Sequence, residues 1–289
     1  MKYAFIKQEQ KNYPVNLLCL TVGISSSGYY AWKQRCVGRR SHRPQELQSK
    51  IVALFAEKRS MYGSPRIYRE LKDRGVSTSK ASVEKIMREN GLRALARRKF
   101  RATTDSRHDL PVLPNVLDRD FNVGHRHERW CGDITYLRTL DGWLYLAAVI
   151  DIGTRKVVGW SMSDRMSKQL VLSALDMAWK REHPMRGVLF HSDRGSQYAS
   201  RAFRKRLQRY GMIQSMSRRA NCWDNAVAES FFHSLKTESY LPYEVLTKEQ
   251  TRVQIFHYVE VFYNRQRLHS SLGYKSPECY TQHLAQLSA

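Results

Sequence analysis

Apolar residues in the first hundred positions recur at helical spacing in short bursts. From Pro14 to Trp32, Val15, Leu17, Leu18, Leu20, Val22 and Ile24 run into Ser25-Ser26-Ser27-Gly28-Tyr29-Tyr30-Ala31-Trp32. This predicts a short helix, a turn, and a second helix opening with serine caps. After the basic stretch Arg39-Arg40-Ser41-His42-Arg43-Pro44, Leu47, Ile51, Leu54 and Phe55 share one helical face. Further helices are expected over about Ser64–Arg74, stopped by Gly75, and Ser79–Glu89, stopped at Asn90-Gly91. Residues 1–40 thus read as a helix-turn-helix-like segment and 41–100 as a second helical DNA-binding module. Pro111 and Pro114 break helices, so 101–124 reads as a basic linker, extended and able to lie along DNA.

From Arg129 the period changes. Trp130-Cys131-Gly132-Asp133-Ile134-Thr135-Tyr136-Leu137 is rich in strand formers, and Asp141-Gly142 turns the chain into a second strand, Trp143–Ile150. A third strand is expected over Lys156–Ser161, an amphipathic helix over Ser167–Lys180, and a buried strand over Gly187–Phe190 that ends at His191-Ser192-Asp193. A helix over Ser200–Tyr210, a short strand over Met212–Ser215 and a helix over Asn225–Lys236 complete the order. Three antiparallel strands followed by alternating helix and strand is the RNase H-like plan, assigned to 125–240. A C-terminal helical extension, 241–289, contains a helix over about Lys248–Tyr263 whose Val253, Phe256, Val259 and Phe262 form an apolar stripe suited to core packing. The predicted class is therefore α/β: an RNase H-like (integrase-type) catalytic core with N-terminal all-α helix-turn-helix modules.

Charge narrows the function. The 289 residues hold 49 Lys and Arg against 26 Asp and Glu, a formal +23. That excess calls for a polyanionic partner, and nucleic acid is the default. Residues 1–100 carry 22 of the cations and only 7 of the acids, which makes the N-terminal third the main DNA-gripping part. No apolar run approaches the ~18 residues of a spanning helix, and the polar start MKYAFIKQEQKN does not read as a signal peptide, so a cytoplasmic protein is expected. Cys19, Cys36, Cys131, Cys222 and Cys279 form no close pair, which argues for reduced thiols and against both a disulfide framework and a zinc site, even with His125 and His127 near Cys131.

Phosphoryl transfer by two metal ions needs several carboxylates converging on hard cations. Asp133 is expected in the first strand and Asp193 at the end of the fourth, neighbours in this plan, and Glu229 lies on the helix after the fifth. Lys236, two helical turns beyond Glu229 on the same face, could hold a DNA phosphate beside the metals. Asp151 and Asp224 are rivals left out of the triad, since a hairpin turn and a helix cap explain them. Gly195, Ser196 and Gln197 are expected to shape the loop after Asp193, and Asn264–His269, with Arg265 and Arg267, to divide between phosphate contact and structure. Arg66, Lys80, Lys85, Arg88, Arg97, Arg98 and Lys99 are the candidate DNA contacts of the N-terminal part.

The residues around the acids carry a family likeness. Trp130–Tyr136, His191-Ser192-Asp193-Arg194-Gly195-Ser196-Gln197-Tyr198, Asn225-Ala226-Val227-Ala228-Glu229-Ser230-Phe231-Phe232 and Tyr263-Asn264-Arg265-Gln266-Arg267-Leu268-His269 resemble the second-reading-frame (OrfB) DDE transposases of the bacterial insertion-sequence family numbered three, and more distantly retroviral integrases. The likeness extends to Ser27-Gly28-Tyr29-Tyr30 and Tyr62-Gly63-Ser64-Pro65-Arg66-Ile67. The resemblance implies a triad of Asp133, Asp193 and Glu229 holding two Mg²⁺ ions, with Mn²⁺ able to substitute. It implies cleavage of one strand at each element end in double-stranded DNA and joining of the 3′-OH to a target phosphodiester. It further implies self-association to pair two ends, cooperation or fusion with an upstream-frame protein carrying a DNA-binding helix-turn-helix and a leucine zipper, and work on the nucleoid in the bacterial cytoplasm. Two other readings compete: a plain RNase H-like nuclease that hydrolyses without joining, and a non-catalytic DNA-binding regulator.

Overall fold

The computed structural model describes residues 2–37, 42–95, 110–121, 128–218, 222–239 and 245–287. The chain divides into two compact units, 1–94 and 95–289.

The first unit is helical. Helices α1 (Lys2–Glu9), α2 (Val15–Val22) and α3 (Ser26–Val37) close around Ile6, Leu18, Cys19 and Tyr29. Gly23 ends α2 in the left-handed region, its N–H returning to the carbonyls of Cys19 and Leu20. The Ser25 hydroxyl accepts the Gly28 N–H at 3.1 Å and opens α3, the serine cap read from sequence. Helix α1 was not foreseen: of its apolar residues Ile6 is buried while its neighbour Phe5 is half exposed, so no periodic stripe announces it. Helices α4 (His42–Glu57), α5 (Ser64–Asp73) and α6 (Lys80–Glu89) pack through Ile51, Leu54, Phe55, Ile67, Leu71, Val83 and Met87. The Ser79 hydroxyl caps α6 by accepting the Ser82 N–H.

The second unit is a five-stranded sheet in the order β3-β2-β1-β4-β5. Strands β1 (Arg129–Thr139), β2 (Gly142–Asp151) and β3 (Val157–Ser163) are antiparallel; β4 (Leu189–Ser192) and β5 (Ile213–Met216) run parallel to β1. This is the RNase H-like plan the hydrophobic pattern predicts. Helices α7 (Lys168–Glu182), α8 (Ser196–Ala199) and α9 (Arg201–Arg209) enclose the main core with Trp130, Val149, Val158, Phe190, Tyr198 and Phe203. Helix α10 (Ala226–Glu238) packs on β1 and β2. Trp130 and Ile134 face the α7 core, so strand alternation turns Cys131 and Asp133 to the other side.

Gly159 lets α7 lie on β3: a Cβ there would stand 2.3 Å from the Ala174 carbonyl oxygen and 2.6 Å from the Ala178 nitrogen. Both are helix backbone, so nothing can give cheaply. Gly159→Ala is expected to lower stability by about 3 kcal/mol or more, checked by the urea midpoint at unchanged denaturant slope.

The C-terminal extension departs from expectation. Helix α11 (Lys248–Phe256) continues into a π-helical segment, His257–Tyr263, marked by the Asn264 N–H donating to the Val259 carbonyl. The wider turn rephases the buried face. Val259 and Phe262 are buried as the stripe required, but Val253 is 69% and Phe256 51% exposed, while Ile255, Tyr258 and Tyr263 take their places. The terminal helix α12 (Pro277–Leu287) follows.

Residues 110–121 do not lie free for DNA. Leu117 is buried, the backbone N–H groups of Val116 and Leu117 donate to the Ser215 hydroxyl, and the Met216 N–H donates to the Pro114 carbonyl. The two prolines stop helix as expected, but the extended chain they leave straps the edge at β5.

Candidate active site

The register of β1 against β4 pairs Cys131 with His191 and Gly132 with Ser192. Asp133 and Asp193 are the next residue on each strand, at the level where β4 stops. Gly132 permits the approach: a Cβ there would meet the Phe190 ring at 2.6 Å and the Tyr198 hydroxyl at 3.3 Å. Asp133 accepts the Ile134 N–H at 2.8 Å, and Asp193 accepts the Gly195 N–H at 3.0 Å, which folds the following loop back on the carboxylate. His191 is buried and bridges the hydroxyls of Ser215 and Ser217; burial pushes its pKa down to about 4, so the ring is a neutral strut. The Ser217 N–H donates to the Ser192 carbonyl, and the Arg194 guanidinium donates to the Ser217 carbonyl. Asp193 therefore leaves a strand end held from both sides.

Electrostatics places the third acid in the same neighbourhood. The Asp133 carboxyl is held well above the ordinary aspartate range, first by burial, then by the Asp193 charge, with Glu229 adding to it; the Ile134 hydrogen bond and the Lys236 charge oppose the shift. Glu229 sits in the first turn of α10 and is also raised, by partial desolvation. The buried Tyr198 hydroxyl is pushed up by burial and by both Asp133 and Asp193. Lys236 is buried, its ammonium 4.8 Å from the centre of the Tyr136 ring. Because β4 ends at Ser192, β1 beyond Gly132 is paired only to β2, leaving that edge open to Lys236.

Three acids against one lysine is a local excess of negative charge. Among the described residues no three His, Cys, Asp or Glu side chains stand as a ready-made ligand group. The donor set is all hard oxygen, the chemistry Mg²⁺ takes. Since the folded-state pKa of Asp133 is raised, its share of stability is present at low pH and lost as pH rises through that value. At neutral pH in a chelator, Asp133→Asn is therefore expected to melt higher than the parent, by about 1 kcal/mol, and Mg²⁺ should stabilise the parent but not the variant. Differential scanning fluorimetry checks both.

Of the other predicted residues, Lys80, Lys85 and Arg88 are exposed on α6, with Lys85 3.8 Å from Glu89. Arg66 is half-buried with its guanidinium over the Tyr62 ring. Arg97, Arg98 and Lys99 lie outside the described residues. Asp151 behaves as a turn residue, accepting the Thr154 N–H. Asp224 does not cap α10. It is fully buried and accepts hydrogen bonds from Asn115, Arg119 and Arg218, tying the 110–121 strap to the segment before α10; the Arg218 guanidinium beside it holds its carboxyl well below the usual range. Asn264 and Arg267 are structural: the Asn264 amide pairs with both backbone groups of Val157 at the β3 edge, and Arg267 is buried against Glu238. A basic surface was missed. Arg201, Lys205 and Arg209 stand exposed on α9 at i, i+4 and i+8, a spacing legible in the sequence.

Family models match in three places: an HTH-like domain over residues 42–100 and two integrase core domain models over 124–222 and 210–277. Transposase InsF for insertion sequence IS3A of Escherichia coli is 43% identical over 281 residues, covering 96% of this chain and 97% of its own length. The chain belongs to the IS3-family InsF transposases. A second InsF transposase, for insertion sequence IS3fB of Escherichia coli, is 42% identical over 289 residues, covering 99% of this chain and all of its own. A 31 kDa protein of insertion element IS600 from Shigella sonnei is 39% identical over 272 residues, covering 94% and 100%. Among solved structures, the HTLV-2 integrase catalytic core domain in complex with magnesium, dimeric form, covers 54% of this transposase and 97% of its own chain at 15% identity and a TM-score of 0.41. A simian T-cell lymphotropic virus intasome chain covers 80% and 74% at 13% identity and a TM-score of 0.43. Among the described residues, no helix of this InsF-type chain is long and apolar enough to cross a membrane.

Proposed function

We propose that this transposase cuts one strand at each end of its insertion sequence and transfers the freed 3′-OH to target DNA, with Asp133, Asp193 and Glu229 as the metal-holding triad. The observation that supports the reading is the register that sets Asp133 on β1 beside the end of β4 leading into Asp193, with the charges of Asp193 and Glu229 raising the Asp133 carboxyl and Lys236 opposing them. Two Mg²⁺ ions, with Mn²⁺ as substitute, would supply Lewis-acid stabilisation of the phosphorane charge and a lowered pKa for the attacking oxygen.

The residues divide the work. Asp133 and Asp193 present oxygens from rigid strand ends, and Glu229 presents its own from α10 across the open edge of β1. Lys236 tempers the negative charge beside Asp133 and offers a cation to a DNA phosphate. Arg66, Lys80, Lys85 and Arg88 of the HTH-like region, with Arg97, Arg98 and Lys99, hold phosphates of the element end. Two ends must meet, so the working form is an assembly of at least two chains, joined or aided by an upstream-frame protein with its own helix-turn-helix and leucine zipper. The setting is the nucleoid in the bacterial cytoplasm.

The test is incubation of the protein, or its fusion to the upstream frame, with labelled element-end DNA in Mg²⁺. Strand-specific nicks followed by joined products support the transferase. Hydrolysis with no joining in the presence of target and both ends would assign a nuclease instead, and end binding without any cut would leave a regulator.

A further inference from the structure

Trp143 is a large aromatic residue on the first turn out of the β1–β2 hairpin, and it is 48% exposed. Its ring packs edge-on against Tyr136 at 5.2 Å. Tyr136 in turn carries the Lys236 ammonium at 4.8 Å, where β1 beyond Gly132 is no longer paired to β4. The exposed indole is thus two ring contacts from the lysine of the triad neighbourhood. Directly across the ladder from Trp143 stands Arg138, exposed and on the same face. Among the described residues Arg138 has no carboxylate partner.

An aromatic face left in water beside an exposed guanidinium is a poor surface for a protein that must stay dissolved. It is a good one for a single nucleotide: the base stacks on the ring and the phosphate takes the cation. A paired base offers no free face except at a terminus, so the platform selects a base that has left its partner. Hydrolysis or transfer at a phosphodiester inside duplex DNA requires the strand to bend toward the carboxylates, and a trapped base would hold that distortion.

We propose that Trp143, with Arg138, about 17 Å along β1 from Asp133, holds an unpaired nucleotide about two or three positions from the phosphate being cut, and so positions the element end against the triad. This rests on the transposase reading above. Trp143 is a positioning residue here, and the partner is one splayed base of the substrate.

The test uses the full chain and element-end duplexes carrying 2-aminopurine at single positions up to about four nucleotides either side of the cleaved phosphate. Binding of Glu229→Gln protein, which keeps the platform, should raise the fluorescence at one position as the base unstacks from DNA and then quench it partly on the indole. Trp143→Ala should abolish that position's response and slow nicking of paired ends about 10-fold, within the range of one lost base–aromatic stack. Trp143→Phe should retain most of both. Ends built with a mismatch at that position should restore Trp143→Ala to within about twofold of the parent, since unpairing is already done. Equal slowing on paired and mismatched ends, or an unchanged 2-aminopurine signal in Trp143→Ala, overturns the proposal. A normal fluorescence response from parent protein that never cuts in Mg²⁺ would instead count against the transposase reading and leave the platform standing.

Discussion

Asp133→Asn, Asp193→Asn and Glu229→Gln are each expected to abolish nicking and joining, by at least about 10³-fold, while binding element-end DNA as the parent does. Each amide keeps the shape of the acid and removes only the charge that draws a cation in. Losses of this size follow when one group of a unit that stabilises developing charge is deleted, and such losses do not add. The double variant Asp133→Asn/Glu229→Gln should therefore be no worse than either single. Gel-shift and labelled-end assays on the same preparations separate binding from chemistry. Near-additive, partial losses would mean that the three acids do not act together.

Arg267→Met carries the largest expected cost in stability, about 3–5 kcal/mol, the scale for removing one partner of a buried ion pair. The Arg267 and Glu238 side chains are 5% and 6% exposed and join through two nitrogens at 2.7 Å. The arginine also donates to the Ser234 hydroxyl, and the Tyr258 hydroxyl donates to Glu238. Without the guanidinium, a carboxylate is stranded in the joint between α10 and the π-helical segment. Glu238→Met added to Arg267→Met should recover most of the loss, since an apolar pair of similar volume needs no counter-charge. Chemical denaturation of the single and double variants measures it. Because α10 carries Glu229, the single variant should also cut more slowly under conditions where it is still folded.

What could be read from the chain was decided by whether a feature is local. Runs of strand formers and the Asp141-Gly142 turn marked β1 and β2, and the switch to helical spacing marked α7 and α9, because each signal lies within one element or turn. The proposed triad was suggested by its setting: an aspartate inside a strand is costly unless it is used, and the strand order put Asp133 beside the strand that leads into Asp193. Asp224 was misread for the opposite reason. Its partners Asn115 and Arg119 lie more than a hundred positions upstream, and only the folded strap reveals that it is a clamp rather than a cap. The sequence left Arg267 between phosphate contact and structure because its ion partner Glu238 belongs to another helix. Val253 and Phe256 were placed in the core because a period of 3.6 was carried through a segment that widens into π turns. The position of Lys236 over Tyr136 depends on β4 ending early, which the sequence does not display.

The most direct test of the central claim is a Mn²⁺ titration followed by electron paramagnetic resonance, on the full chain bound to element-end DNA. The account predicts two ions bound per active site in the parent, at least one lost in each of Asp133→Asn, Asp193→Asn and Glu229→Gln, and no change in Asp224→Asn preparations that remain folded. Equal Mn²⁺ binding by the parent and all three triad variants would contradict it.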